Sequence, residues 1–380
     1  MKNIKQITLI FLAYYGITCF SNIYFIFGPF YEKMGATPQQ TGLFLSLFYF
    51  VMLICRPLGS KVMEKFDIRR ALVGSSALCA AASVGVALSL HCVPLLLFFR
   101  ALTGLCVSVF AVSAIAAQSL LLDEKARGFG FALFTTGSLL PMATIVPFCD
   151  WLQQNNYDTL YLWLPAATAL LCTAVSWPVK NLNYHGEHKK AWGSYADLLK
   201  TPAIPALLAT AMVMSLADAM TLSVASLANE RFITVSAFMI ASSLAGIAIR
   251  TIAFSLIAKI PRVHLAAPAA ALMGAGLIGL SLSSGGAAFM AFGALFGIGI
   301  GIGFPVDLAL VGDLLAPEYR PKATGLVLLV IDIGWMISPL IFGFFSPVIG
   351  ATWTFRVMGL FVVSAAAALY LQFWRKCKIG

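Results

Sequence analysis

Of the 380 residues, 60% are hydrophobic and only 11% are charged, and the mean hydropathy is +0.91. A water-soluble domain carries about 25% charged residues, so this chain cannot cover a water-facing surface and a soluble enzyme is excluded. The net charge of +10 lies in short clusters between apolar runs rather than along one face, which excludes a nucleic-acid-binding stripe.

The chain opens with two lysines and an apolar run of about 24 residues without a small-x-small cleavage site, which reads as a retained first span. Twelve apolar segments long enough to cross a bilayer follow one another: 7–30, 41–60, 70–91, 94–122, 128–150, 158–179, 203–229, 234–258, 264–284, 287–313, 322–346 and 351–374. With both termini placed in the cytoplasm, inner loops and termini hold 19 of the 25 lysines and arginines, and outer loops hold only Lys33 and Arg231. That alternation supports an even span count and a multi-pass protein of the inner (plasma) membrane.

Span one carries Tyr15, Thr18 and Asn22 at helical spacing, with Tyr14 and Ser21 alongside. Such a stripe either lines a polar cavity or hydrogen-bonds a neighbouring helix. Between spans two and three lies "RPLGSKVMEKFDIRRAL", in which Arg56, Gly59, Glu64, Lys65, Arg69 and Arg70 combine a glycine, an acid and a basic cluster. Span four contains Arg100, with Gly104 four residues on; an intramembrane arginine needs a carboxylate, carbonyls or water. With these residues and the upstream "GATPQQTGLFLSLFYFVMLICRP", the chain resembles the major facilitator superfamily, in particular its drug/H⁺ antiporter and sugar-efflux branch.

The resemblance implies that the loop between spans two and three latches the cytoplasmic side, its acid facing the start of the eleventh helix near Pro321. It also implies that Arg100 belongs to an arginine motif associated with proton coupling, and that spans one, four, seven and ten line a cavity. The sequence departs from the family pattern in places. Glu64–Lys65 stands where Asp–Arg is usual, Asp67 stands where Gly is usual, and Gly59 is displaced by one position. Span five keeps Gly137, Pro141 and Pro147 but has Leu140 before the first proline, which leaves proline kinks as its local reading.

Near the midpoint, "KNLNYHGEHKKAWGSYADLLK" separates six spans from six. His185 and His188 in it could bind a metal as an i, i+3 pair, but with only two candidate ligands they read as an incidental pair, and no metal or cofactor is expected. "LLLDEKARGFGF" after span four is echoed by "LLAPEYRPKATGL" after span ten, as in duplicated transporters. The expected organisation is an N-terminal six-helix bundle over 1–179, a cytoplasmic loop over 180–202 and a C-terminal bundle over 203–380. The fold class is an all-α membrane protein, with twelve transmembrane helices in two pseudo-symmetric six-helix bundles.

The C-terminal half alone carries carboxylates inside spans: Asp218 near the middle of span seven, Asp307 in span ten and Asp332 in span eleven. A carboxylate away from water is a candidate proton carrier or, alternatively, one side of a structural salt bridge. Arg250, near the end of span eight, reads as a residue that snorkels or pairs at the cytoplasmic side. "GALFGIGIGIGFPVD" looks at first like a phosphate loop, but it lacks a preceding strand and a following Lys-Ser/Thr. On a helix its glycines form two rows, Gly293–Gly297–Gly301 and Gly299–Gly303, with Pro305 as a bend before Asp307.

The eight cysteines show no CxxC and read as small core residues. No hydrolase or nucleotide-binding signature is present. The expected activity is alternating-access secondary transport by a monomer, in the form of proton-coupled efflux of a small molecule. An uptake symporter or facilitator for a sugar, organic acid or metal chelate is the alternative of the same fold. A transport-inactive membrane sensor or scaffold is the alternative of another class.

Overall fold

The computed structural model describes residues 4–121, 136–180, 195–201, 203–252, 259–316 and 319–377, with the side chains of 57–61, 63, 64, 119, 195, 196 and 321 outside that description. Among the described residues every regular element is helical. This is what lipid demands, because a helix satisfies its own backbone hydrogen bonds. Two compact units emerge: Met1–Ala36 with Leu43–Gly186, and Thr37–Gly42 with Glu187–Gly380.

The first unit contains α1 (Ile4–Lys33), α2 (Pro38–Arg56, its first residues grouped with the second unit), α3 (Lys65–Leu88) and α4 (Val93–Leu121). It also contains α5, in two pieces (Leu140–Ala143 and Ile145–Gln154), and α6 (Asp158–Ser176). The second contains α7 (Ala203–Glu230), α8 (Val235–Thr251), α9 (Ala266–Leu282), α10 (Gly286–Leu314) and the run Arg320–Gln372. Gly350 (φ 82°) is the non-helical residue in that run and divides α11 from α12. Of the twelve segments read from sequence, the fifth is described only from residue 136. The eighth is shorter among the described residues, since 253–258 fall outside them, and the last two join with a single hinge residue between them.

Local signals explain the ends. At α2 the Thr37 amide donates to Gln40 Oε1 (2.9 Å) and the Gln40 amide to Thr37 Oγ1 (3.2 Å), a reciprocal capping box with Pro38 at the first helical position. Inside the spans, α1 and α7 each pass through a 3-10 turn, at Tyr24–Ile26 and Met220–Ser223, and the second begins 196 residues after the first. Packing repeats at nearly the same interval. A Cβ on Gly85 of α3 would strike the Phe99 ring of α4, and one on Gly279 of α9 the Phe292 ring of α10. Gly104 of α4 lies against the Phe48 backbone of α2, and Gly297 of α10 against the Ser242 backbone of α8. Each partner in the second unit follows its counterpart by 193 or 194 residues, which makes the sequence echo a repeat of packing.

The two glycine rows of α10 face different neighbours. Gly293, Gly297 and Gly301 meet Phe238, Ser242 and Gly246 of α8, while Gly299 and Gly303 meet Met273, Ala269 and Met214 of α9 and α7. Backbones approach closely there because lipid supplies no hydrophobic drive, so helix association rests on van der Waals fit. Gly297→Val should therefore cost about 1–3 kcal/mol, read as a lower thermal unfolding midpoint in detergent. Gly312, with nothing within 4 Å of a Cβ, should accept alanine without a shift; a midpoint unmoved by Gly297→Val would contradict this packing.

Candidate functional site

In the first unit the polar stripe of α1 meets the broken α5. Pro141 has no N–H, so the Gly137 carbonyl four residues earlier loses its helical donor. The Thr18 hydroxyl lies 3.0 Å from that carbonyl and also within 3.0 Å of the Tyr14 and Tyr15 carbonyls of its own helix. Tyr15 Oη is hydrogen-bonded to Thr144 Oγ1 (2.7 Å), at the residue between the two pieces of α5. Around the 3-10 turn, Tyr161 donates to the Ile23 carbonyl (3.0 Å) and Gln153 to the Ile26 carbonyl (3.1 Å). Tyr15 and Thr18 thus knit α1 to the α5 break. Asn22 differs: its amide donates to the Thr18 carbonyl (2.8 Å), while its Oδ1 is buried without a partner.

Arg100 is 1% exposed, and its guanidinium carbon lies 4.0 Å from the ring centre of Tyr24, 4.3 Å from Phe48 and 4.8 Å from Phe44. Nε and Nη1 make no hydrogen bond. Among the described residues no carboxylate pairs with Arg100, so the charge is held by ring quadrupoles, each worth up to about 2 kcal/mol or more when desolvated. The sequence showed the arginine but not the cage, whose rings come from α1 and α2. At the corresponding position of the second unit, 193 residues on, stands Gly293, against the Phe238 backbone. The fold therefore does not require a charge at this place in the repeat.

In the second unit Asp218 lies two residues before the 3-10 turn of α7 and is half-buried. The Trp335 indole of α11 and the Arg250 guanidinium of α8 are the polar groups that act on its carboxylate. Arg250 also donates to the Ile300 carbonyl (3.3 Å), so it is engaged inside the unit rather than snorkelling away. Asp307 is fully buried, and among the described residues neither carboxylate oxygen has a hydrogen-bond partner. Asp332 is buried on α11, one turn before Trp335. The structure thus joins Asp218 to Trp335 and Arg250, which the sequence gave no reason to group. Asp307 stands apart, two residues beyond Pro305.

In the basic loop Asp67 adopts φ 65°, ψ 165°, a region favouring glycine, which explains why glycine is usual at this position of the family pattern. Its carboxylate caps α3, taking the Arg70 amide at 2.9 Å, and lies 3.6 Å from Arg70 Nε. Arg69 sits 5.5 Å over the Trp177 ring and Lys65 5.2 Å over Phe66, while Arg56 is half-buried. The surroundings of Gly59, the Glu64 side chain, and the histidines His185 and His188 lie outside the described residues. Among the described residues no three His, Cys, Asp or Glu side chains gather as a metal site.

Helices long and apolar enough to span a membrane are thus arranged in two repeated units, each with a 3-10 turn inside its first span. The family model described as Major Facilitator Superfamily matches residues 7–289 and 220–376, and the chain belongs to that superfamily. Among solved structures it is similar to the nucleoside transporter NupG in a mutant form, with TM-score 0.80 and 10% identity over 97% of this chain and 99% of that one. No curated protein matches it. At that identity the structural likeness establishes the fold alone.

Arg100→Met should leave the thermal midpoint unchanged or raised, since replacing a buried charge by an apolar side chain of similar volume is often neutral or stabilising. The same change should abolish transport; a large loss of stability would assign Arg100 to the scaffold. At the loop, Asp67→Gly should be at least as stable as the native chain because it relieves strain of about 1–3 kcal/mol. Asp67→Ala should be about 1 kcal/mol less stable, because it keeps the strain and loses the cap. Denaturation midpoints of the two variants check that order.

Proposed function

We propose that this member of the superfamily couples proton movement to the export of a small amphipathic or polar molecule. The observation that carries the reading is Asp218. A half-buried carboxylate inside a span, beside a helix break and within reach of an indole donor and a cation, can exchange a proton at modest reorganisation. When Asp218 is ionised, Arg250 attracts it; when Asp218 is protonated, that attraction is lost. The two protonation states therefore favour different local arrangements, as an alternating carrier needs.

Asp307 and Asp332 are further carboxylates of the same unit, and we assign Asp307 a secondary role in proton occupancy because its buried oxygens have no hydrogen-bond partner among the described residues. Arg100 supplies a fixed positive charge in the first unit, and Asn22, with its unmet acceptor, is a polar contact for cargo. Arg69 and Arg70, anchored at Trp177 and Asp67, belong to the inner gate. The likeness to a nucleoside transporter favours a second reading, in which a nucleoside-like polar molecule moves through the same carrier.

Proteoliposomes under an imposed proton gradient test the proposal, with ethidium as the amphipathic probe and uridine as the polar one. Asp218→Asn should lower gradient-driven flux at least tenfold while leaving gradient-free exchange of the same probe measurable. Unchanged gradient-driven flux in Asp218→Asn would remove the coupling role. Uridine flux without ethidium flux would favour the second reading, and flux of neither probe would favour a sensor or scaffold.

A further inference from the structure

The joint between α11 and α12 is a single residue, Gly350, so the two helices diverge from a point. Beside it lies a crevice of about 280 Å³, floored by Leu216 of α7 and Thr354 and walled by Phe345, Ile349, Val357 and Phe361. Thr354 turns its hydroxyl back to the Gly350 carbonyl (2.8 Å), so the wall is hydrocarbon throughout. Phe345, Val357 and Phe361 are each more than half exposed on membrane-spanning helices, where the surrounding solvent is acyl chain. Filling such a wedge restores van der Waals contacts that its lining otherwise lacks.

The rim carries a matching charge. Arg356, next to Val357, stands 4.4 Å over the ring of the exposed Trp353 and, among the described residues, hydrogen-bonds Ser281 alone, at 3.3 and 3.5 Å. The C-terminal carbonyls of α9, at Ser281 and Ser283, are already taken by Arg231, which also reaches Thr352 at 3.1 Å. No carboxylate pairs with Arg356 among the described residues. A tryptophan–arginine pair at the end of a span is the setting in which a lipid headgroup is met.

We propose that this crevice binds one phospholipid of the bilayer, with an acyl chain between α11 and α12 and the phosphate at Arg356. The bound chain presses on α7 at Leu216, whose carbonyl accepts the Ser338 hydroxyl (3.2 Å) four residues before the turn at Met220–Ser223. Leu216 and Asp218 point to nearly opposite sides of α7, so the lipid braces the broken helix from behind without entering the proton site.

Native mass spectrometry of the full chain in detergent, with palmitoyl-oleoyl phosphatidylglycerol added, tests this. The wild type should retain one lipid at activation energies that strip the others. Leu216→Phe combined with Val357→Phe should abolish that retention, and Arg356→Gln should weaken it at least fivefold. Retention of no lipid by the wild type, or undiminished retention in both variants, would overturn the site. Should the filled variant not fold, fluorescence quenching by acyl-brominated phosphatidylglycerol decides on the wild type. A saturable component that disappears in Trp353→Phe supports the site, and quenching that rises only in proportion to lipid content overturns it.

Discussion

A backbone carbonyl released inside a membrane span has no water to accept from, and most of what is distinctive in this chain follows from that constraint. Pro141 releases the Gly137 carbonyl, and a threonine on another helix lies within hydrogen-bonding distance of it. The 3-10 turn of α1 lies next to two carbonyls that take donors from α5 and α6, Gln153 and Tyr161. The Ser338 hydroxyl of α11 does the same for the Leu216 carbonyl just before the turn of α7. Breaks in the helices are tolerated because neighbouring helices carry a hydroxyl, amide or phenol at the right height. A polar residue facing a break is thus as much a part of the fold as an apolar one facing a core.

The internal repeat offers a control within one molecule. Gly85 with Phe99 and Gly279 with Phe292, or Gly104 with Phe48 and Gly297 with Ser242, keep the same close approach in both units. Against that shared frame, two positions diverge in charge. Asn22 and Asp218 both lie two residues before a 3-10 turn, and Arg100 takes the place held by Gly293. The scaffold is held in common, whereas the ionisable groups belong to one unit or the other. That is the pattern expected if packing set the first and transport chemistry the second.

The helices, their order and the repeat were legible in the sequence because hydropathy and charge alternation are long-range averages that local detail does not disturb. Local geometry was less so. The stripe on α1 could be read as cavity lining or as interhelical bonding, and the partners that decide for Tyr15 and Thr18 sit on α5, about 120 residues away. Trp335 carried no signal, since an indole in a span is ordinarily an apolar side chain; only its meeting with Asp218 gives it a chemical role. The cage of Arg100 was hidden for the same reason, as phenylalanines are the least informative letters in an apolar chain. Asp67 was visible as a departure from a family pattern, but its cause, a backbone angle of 65°, was not.

The cage of Arg100 has an electrical consequence. A guanidinium that is fully buried, with no carboxylate partner among the described residues, is a fixed charge lodged inside the membrane's own field. Moving one elementary charge across the whole membrane changes the energy by about 2.3 kcal/mol per 100 mV, and a partial displacement takes the corresponding fraction. Any step that shifts α4 along the membrane normal therefore carries current even when no cargo is bound. In the carrier proposed above, the resting potential then acts on the empty protein as directly as any ligand does, tilting the balance between its two orientations before transport begins.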